Sequence, residues 1–115
     1  MAIKDSNVTI MIKDMDASIS FYESIGLTVK SRWANHYAQL TAPGIVIGLH
    51  PTDQSNLLKG SGNISIGFTT DNFEENKSEL EKLSIKVIAR DEEGGQFLHF
   101  DDPDGTSLYF IKSKW

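Results

Sequence analysis

The sequence is expected to fold as an α+β protein built from two tandem β-α-β-β-β modules, forming a cup-shaped mixed sheet with the helices on its outer face. Three observations carry this. Apolar residues alternate with polar ones in several short runs, the signature of half-buried strands. Two turn signals, Pro43-Gly44 and Asp102-Pro103-Asp104-Gly105, each sit between such runs. The whole pattern also occurs twice in register. At one constant spacing Ile10 falls on Phe68, Met15 on Phe73, Tyr22 on Leu80, Ile25 on Leu83, Leu27 on Ile85 and Val29 on Val87. At a slightly wider spacing Ile47 falls on Leu108 and Leu49 on Phe110. Eight matched positions with matched turns are better explained by duplication than by aliphatic coincidence. The first module covers about residues 5–50 and the second about 64–112, with a linker over 51–63 inside one domain spanning the chain.

Taken in order, Val8, Ile10 and Ile12 alternate with Asn7, Thr9 and Met11, which predicts a strand. Asp14 or Asp16 can cap a helix that carries Ile19, Tyr22 and Ile25 on one side and stops at Gly26. Leu27 to Arg32 reads as extended. Trp33 to Leu40 and Ile45 to His50 then form a hairpin around Pro43-Gly44. Its apolar face holds Ala38, Leu40, Ile45, Ile47 and Leu49, joined by His36. Trp33, Asn35, Tyr37, Gln39, Val46, Gly48 and His50 lie on the other face. The stretch from Pro51 to Asn63 is rich in Gly, Ser, Asn and Pro and reads as the linker, tacked to the body by Leu57 and Leu58.

In the second half Ile64, Ile66 and Phe68 alternate with Ser65, Gly67 and Thr69. Asp71 or Asn72 caps a helix with Phe73, Leu80 and Leu83 on its apolar side. Ile85 to Arg90 is expected as a strand, and Asp91-Glu92-Glu93-Gly94-Gly95 as a flexible acidic loop, more readily a solvated loop than a lid. The closing hairpin puts Leu98, Phe100, Leu108 and Phe110 on one face. Phe97, His99, Asp101, Ser107, Tyr109 and Ile111 fall on the other. The first of these faces suits a helix; the second, mixing aromatic and polar groups, suits a ligand.

Composition narrows the function. Acidic residues outnumber basic ones, 16 to 11, for a net charge of −5, and no basic patch is present to bind nucleic acid. That balance favours cationic or neutral ligands. With no cysteine, disulfides and thiolate chemistry are excluded. No run approaches membrane length, and Met1 to Lys4 lead straight into a strand, so no membrane association and a cytoplasmic location are expected. No phosphate loop, nucleophile elbow or His/Asp/Ser order declares a reaction.

The doubled module resembles the vicinal oxygen chelate superfamily, which includes glyoxalase I, extradiol dioxygenases and bleomycin-binding resistance proteins. The residues that carry the resemblance are Val8 to Leu27 (VTIMIKDMDASISFYESIGL) and Phe100 to Ile111 (FDDPDGTSLYFI). Enzymes of that group hold one divalent metal through His, Glu or Gln on the mixed faces. Carried over by position, those ligands fall on Asn7, Gly48, Ser65 and Tyr109. None of the four is a good metal donor, since a catalytic site needs about three protein ligands of nitrogen, sulfur or carboxylate type. The resemblance therefore implies a metal-free protein without cofactor that binds a small molecule, similar to the bleomycin-type resistance proteins, with a homodimer as the expected assembly.

The expected ligand-binding residues are Asn7, Met11, Trp33, Tyr37, Gln39, His50, Phe97, His99 and Tyr109. Trp33, Tyr37, Phe97 and Tyr109 would stack on a planar or cationic ligand, or pack in a dimer seam with Trp115. His99 is the candidate general base beside Tyr109, and otherwise a histidine hydrogen-bonded within a polar cup. The alternative to a binding protein is a glyoxalase-like lyase, isomerase or dioxygenase-type enzyme. It would use His99 without metal, or a displaced metal held by His50 and His99.

Overall fold

A computed structural model describes residues 1–52, 62, 64–92 and 94–113 of the 115. The chain forms two compact units, Met1–Ser61 and Gly62–Trp115. The linker expected over 51–63, with Leu57 and Leu58, falls almost wholly outside the described residues, as do Glu93 and Trp115.

The first unit runs β1 (Val8–Ile12), α1 (Met15–Ser24), β2 (Thr28–Trp33), β3 (Tyr37–Ala42) and β4 (Ile45–Pro51). Its sheet has the order β1-β4-β3-β2, with β1 parallel to β4 and the other pairs antiparallel. The second unit repeats this as β5 (Ser65–Thr69), α2 (Phe73–Lys82), β6 (Ile88–Glu92), β7 (Gly95–Asp101) and β8 (Ser107–Ser113), in the order β5-β8-β7-β6. The architecture is α+β, two β-α-β-β-β modules each with a four-stranded mixed sheet and one helix. The duplication extends to the register of the parallel pairs, whereas β2–β3 carries a register shift that β6–β7 lacks. Ile10 pairs with Leu49 in the first sheet, and their counterparts Phe68 and Phe110 pair in the second.

In the first module Ile10, Ile12, Ala38, Leu40, Ile47 and Leu49 are buried together with Met15, Ile19 and Tyr22 of α1. Burial of each large apolar side chain stabilises the fold by about 1.5–3 kcal/mol. Asp14 caps α1 by accepting a hydrogen bond from the Ala17 N–H at 3.0 Å, and Gly26 follows the helix at φ +112°. In the second module Ile66, Leu98, Phe100 and Leu108 are buried with Phe73 and Leu80 of α2. Asn72 occupies the N-cap position of α2 but forms no side-chain cap bond; Thr70 Oγ1 instead accepts from the Asn72 N–H at 3.0 Å.

Both predicted turns are present. Ala42 pairs with Ile45 across Pro43-Gly44, where Gly44 takes φ +87°. Asp102 is buried, and its Oδ1 accepts from the N–H groups of Asp104 (2.9 Å) and Thr106 (2.8 Å), which closes the turn between β7 and β8.

Three boundaries differ from expectation. The strand expected to begin at Trp33 does not: Trp33 ends β2, pairs with Tyr37, and Ala34-Asn35-His36 make a tight turn between them. Arg32 stabilises that turn, donating to the Ala34 carbonyl and the Asn35 Oδ1, each at 2.7 Å, and Ala34 adopts φ +47°. His36 is consequently exposed in the turn and does not join the apolar face. Next, β6 begins at Ile88, not Ile85, and runs on through Asp91 and Glu92, so the supposed acidic loop is largely strand, with Glu92 opposite Gly95. All five β6 residues are exposed, which removes the alternation that marks a half-buried strand. Finally, α1 ends at Ser24 with Ile25 as its C-cap. Among the described residues no helix is long and apolar enough to cross a membrane.

Candidate functional site

The face of each sheet opposite its helix carries the residues singled out from the sequence. In the first module one row across the strands reads Thr9, Gly48, Gln39 and Ser31. The neighbouring positions carry the pairs Met11–His50 and Trp33–Tyr37. Trp33 and Tyr37 stack, with centroids 5.8 Å apart and planes 22° from parallel, while Trp33 remains 61% exposed. Rings so arranged supply interaction beyond the area they bury.

Tyr37 reaches along the sheet to lie over Gly48. A β-carbon placed on Gly48 would meet the Tyr37 hydroxyl first, then Thr9 Oγ1 at 2.6 Å and Tyr37 Cζ at 2.9 Å. Any side chain here would have to displace Tyr37 or Thr9, which favours glycine. The hydroxyl is the middle of a polar chain: Gln39 Nε2 donates to Tyr37 Oη (3.2 Å), Tyr37 Oη lies 3.4 Å from Thr9 Oγ1, and Thr9 donates to Asn7 Oδ1 (3.3 Å).

The second module solves the equivalent position with a different tyrosine. Register places Gly67 where the first module has Thr9, and Tyr109 where it has Gly48. A β-carbon on Gly67 would clash with the hydroxyl end of the Tyr109 ring, at Cζ, Cε2 and Oη. Tyr109 is held by rings on its own face, with Phe97 at 5.8 Å and His99 at 5.7 Å, and Phe97 stacks on His99 at 5.7 Å with planes 10° apart. Ser65 and Ser107 share a hydrogen bond at 3.0 Å. An open cleft of about 280 Å³ in this module is lined by Lys86, Ile88, His99, Phe100, Asp101 and Ser107.

The structure thus gathers Asn7, Tyr37 and Gln39 into one polar chain, sets Met11 beside His50 and Trp33 on Tyr37, and clusters Phe97, His99 and Tyr109. Thr9 and Gly67 were not singled out from the sequence as site residues. An isolated glycine inside a strand is a signal of close backbone approach, and Gly67 carried it. Thr9 carried no comparable signal.

Residues 6–110 match the family model described as the Glyoxalase/Bleomycin resistance protein/Dioxygenase superfamily, and the chain belongs to that superfamily. It is 29% identical to the uncharacterized protein YwbC of Bacillus subtilis (strain 168), over 97% of this chain and 99% of that one. Among solved structures, a bleomycin-binding protein complexed with bleomycin superposes with a TM-score of 0.74 at 20% identity, covering 97% of this chain and 100% of that one. A lactoylglutathione lyase from Agrobacterium tumefaciens superposes with a TM-score of 0.74 at 19% identity, covering 95% and 92%. At such identities the two structures establish the shared fold.

The superfamily implies a divalent metal in its enzymatic members, and the residues here do not fit one. Asn7 Oδ1 accepts from Thr9, Ser65 is bonded to Ser107, Gly48 offers no side chain, and the space a β-carbon would need there is taken by Tyr37. Tyr109 lies with its ring over Gly67. Among the described residues no three His, Cys, Asp or Glu side chains gather in one place.

Proposed function

We infer that this chain is a metal-independent protein that binds a small molecule, in the manner of the bleomycin-type resistance proteins and without chemistry. The observation that carries the reading is the pairing of Gly48 with Tyr37, in which a phenol fills the space that a side chain at position 48 would need. The known ability of one structural neighbour to bind bleomycin supports a ligand-binding use of the fold. The candidate ligand-contacting residues are Asn7, Met11, Trp33, Tyr37, Gln39 and His50 on the face of the first module and, taken by themselves, Phe97, His99 and Tyr109 on the face of the second. The net charge of −5 and the exposed Trp33 favour a cationic or neutral aromatic ligand. A homodimer in the cytoplasm belongs to the same proposal.

Titration with cationic aromatic antibiotics tests it. Quenching of tryptophan fluorescence together with a raised melting temperature is the expected result; neither change, over the whole panel, removes the support. Metal analysis of protein purified without chelator is expected to give no stoichiometric Zn, Ni, Mn or Fe, and stoichiometric metal would overturn the metal-independent part.

A second reading is a glyoxalase-like or dioxygenase-type enzyme with His99 as base. It is favoured by the cleft that brings His99, Asp101 and Ser107 together and by the lactoylglutathione lyase among the neighbours. Turnover of thiohemiacetal or catechol substrates that is lost in His99→Gln would select it.

A further inference from the structure

The hydrogen bonds around Tyr37 have a direction. The Asn7 Oδ1 can only accept, so the single Thr9 hydroxyl proton is committed to it. Gln39 Nε2 can only donate, so Tyr37 Oη accepts from that side. What remains is the proton of Tyr37 itself, and the group facing it is Thr9 Oγ1 at 3.4 Å. Hydroxyl hydrogen bonds are normally about 2.7–2.8 Å between oxygens, so this link is long, as is the 3.3 Å contact from Thr9 to Asn7. An acceptor oxygen brought in at ordinary distance would replace Thr9 as the partner of the Tyr37 hydroxyl at small cost.

The same phenol is fixed on several sides. Gly48 lies against it, Thr9 and Gln39 flank the hydroxyl, and Trp33 stacks on the ring. A donor held in place before binding loses little conformational freedom when a ligand arrives. Trp33, 61% exposed and stacked on that phenol, gives a flat group a surface beside it. The net charge of −5 works against a carboxylate as the acceptor and leaves a neutral carbonyl or amide oxygen.

We propose that Tyr37 is a specificity-determining hydrogen-bond donor, and that the ligand it selects is a planar aromatic carrying a neutral carbonyl or amide oxygen. This rests on the ligand-binding reading above and names the ligand class for it. In the free protein Thr9 Oγ1 accepts the hydrogen bond of the Tyr37 hydroxyl, and on binding the ligand oxygen replaces it as acceptor.

The test uses two matched probes, 1-naphthamide and 1-methylnaphthalene, titrated into the full chain while the Trp33 indole N–H is followed by NMR. Wild type is expected to bind the amide about three- to tenfold more tightly, the range one net hydrogen bond supplies. Tyr37→Phe keeps the ring and should bring the two affinities together. Thr9→Val removes the competing acceptor and should widen the preference by about twofold, a direction that a merely structural role for Thr9 does not produce. Should Tyr37→Phe fail to fold, Thr9→Val still decides. Equal affinities in wild type, a preference that survives Tyr37→Phe, or a Thr9→Val variant whose preference is unchanged or smaller would each overturn the proposal while leaving ligand binding intact. If neither probe shifts any resonance, the proposed ligand class falls, and the ligand-binding reading is decided separately by the antibiotic titration.

Discussion

Tyr37 and Gly48 form an interlocked pair: the phenol oxygen of the first is the nearest atom to where a β-carbon of the second would stand, and Tyr37 Cζ is 2.9 Å from that same point. Gly48→Ala is therefore expected to destabilise the fold by about 1–3 kcal/mol, the usual cost of overpacking a close contact. Tyr37→Ala in the same chain should recover part of the loss by opening the space. Urea denaturation of the two variants and the double mutant checks this, and additive effects would mean that the pair does not interlock.

The two helix starts should respond differently to the same change. Asp14→Ala removes an N-cap acceptor and is expected to cost about 0.5–2 kcal/mol. Asn72→Ala removes no side-chain cap bond and should cost clearly less. Thermal melts of the two variants, compared at equal protein concentration, decide the order.

Arg32 joins Asp16 in α1, at 2.7 Å, to the turn that follows β2, through the Ala34 carbonyl and Asn35. Its ion pair with Asp16 is largely exposed, at 34% and 78% for the two side chains, so Asp16→Ala should cost no more than about 0.2–1 kcal/mol. Arg32→Ala also releases the turn and is expected to cost more than Asp16→Ala. It should also loosen the stacking of Trp33 on Tyr37, visible as a change in tryptophan emission.

These same contacts explain where the sequence was readable and where it was not. The first strand, both turns and the duplication are local or periodic signals, and Ile10 and Phe68 did lead to equivalent register pairs. The turn after Trp33 was hidden because it contains no Gly or Pro, puts an alanine in a left-handed conformation and is tied by the Arg32 side chain to Ala34 and Asn35. Strand β6 was misplaced because an edge strand exposed along its length has no buried face to alternate with. At the site, the face of each residue was legible from period-two spacing. The polar chain was not, because Thr9 and Tyr37 lie 28 residues apart and meet only through sheet register.

Asp102 holds the last turn by side-chain bonds to two backbone N–H groups, one of them on buried Thr106. Asp102→Ala takes the acceptor from both and is expected to destabilise by about 1–3 kcal/mol. Asp102→Asn keeps an oxygen in place and should be milder. Chemical denaturation ranks the two, and an alanine variant as stable as wild type would show that the turn is held by its backbone alone.

The parallel pairing of β1 with β4 sets the order in which the polypeptide can be assembled. β4 lies between β1 and β3, so the opening strand has no sheet neighbour until the last strand of its module exists. During synthesis β2, β3 and β4 can zip as a meander by short-range closure, whereas β1 must wait with its Val8, Ile10 and Ile12 uncovered until residue 51 leaves the ribosome. The second module repeats the delay, because β5 waits for β8, which ends at Ser113. A nascent chain stalled before β4 would thus present an apolar strand to chaperones, and one stalled just after it would not.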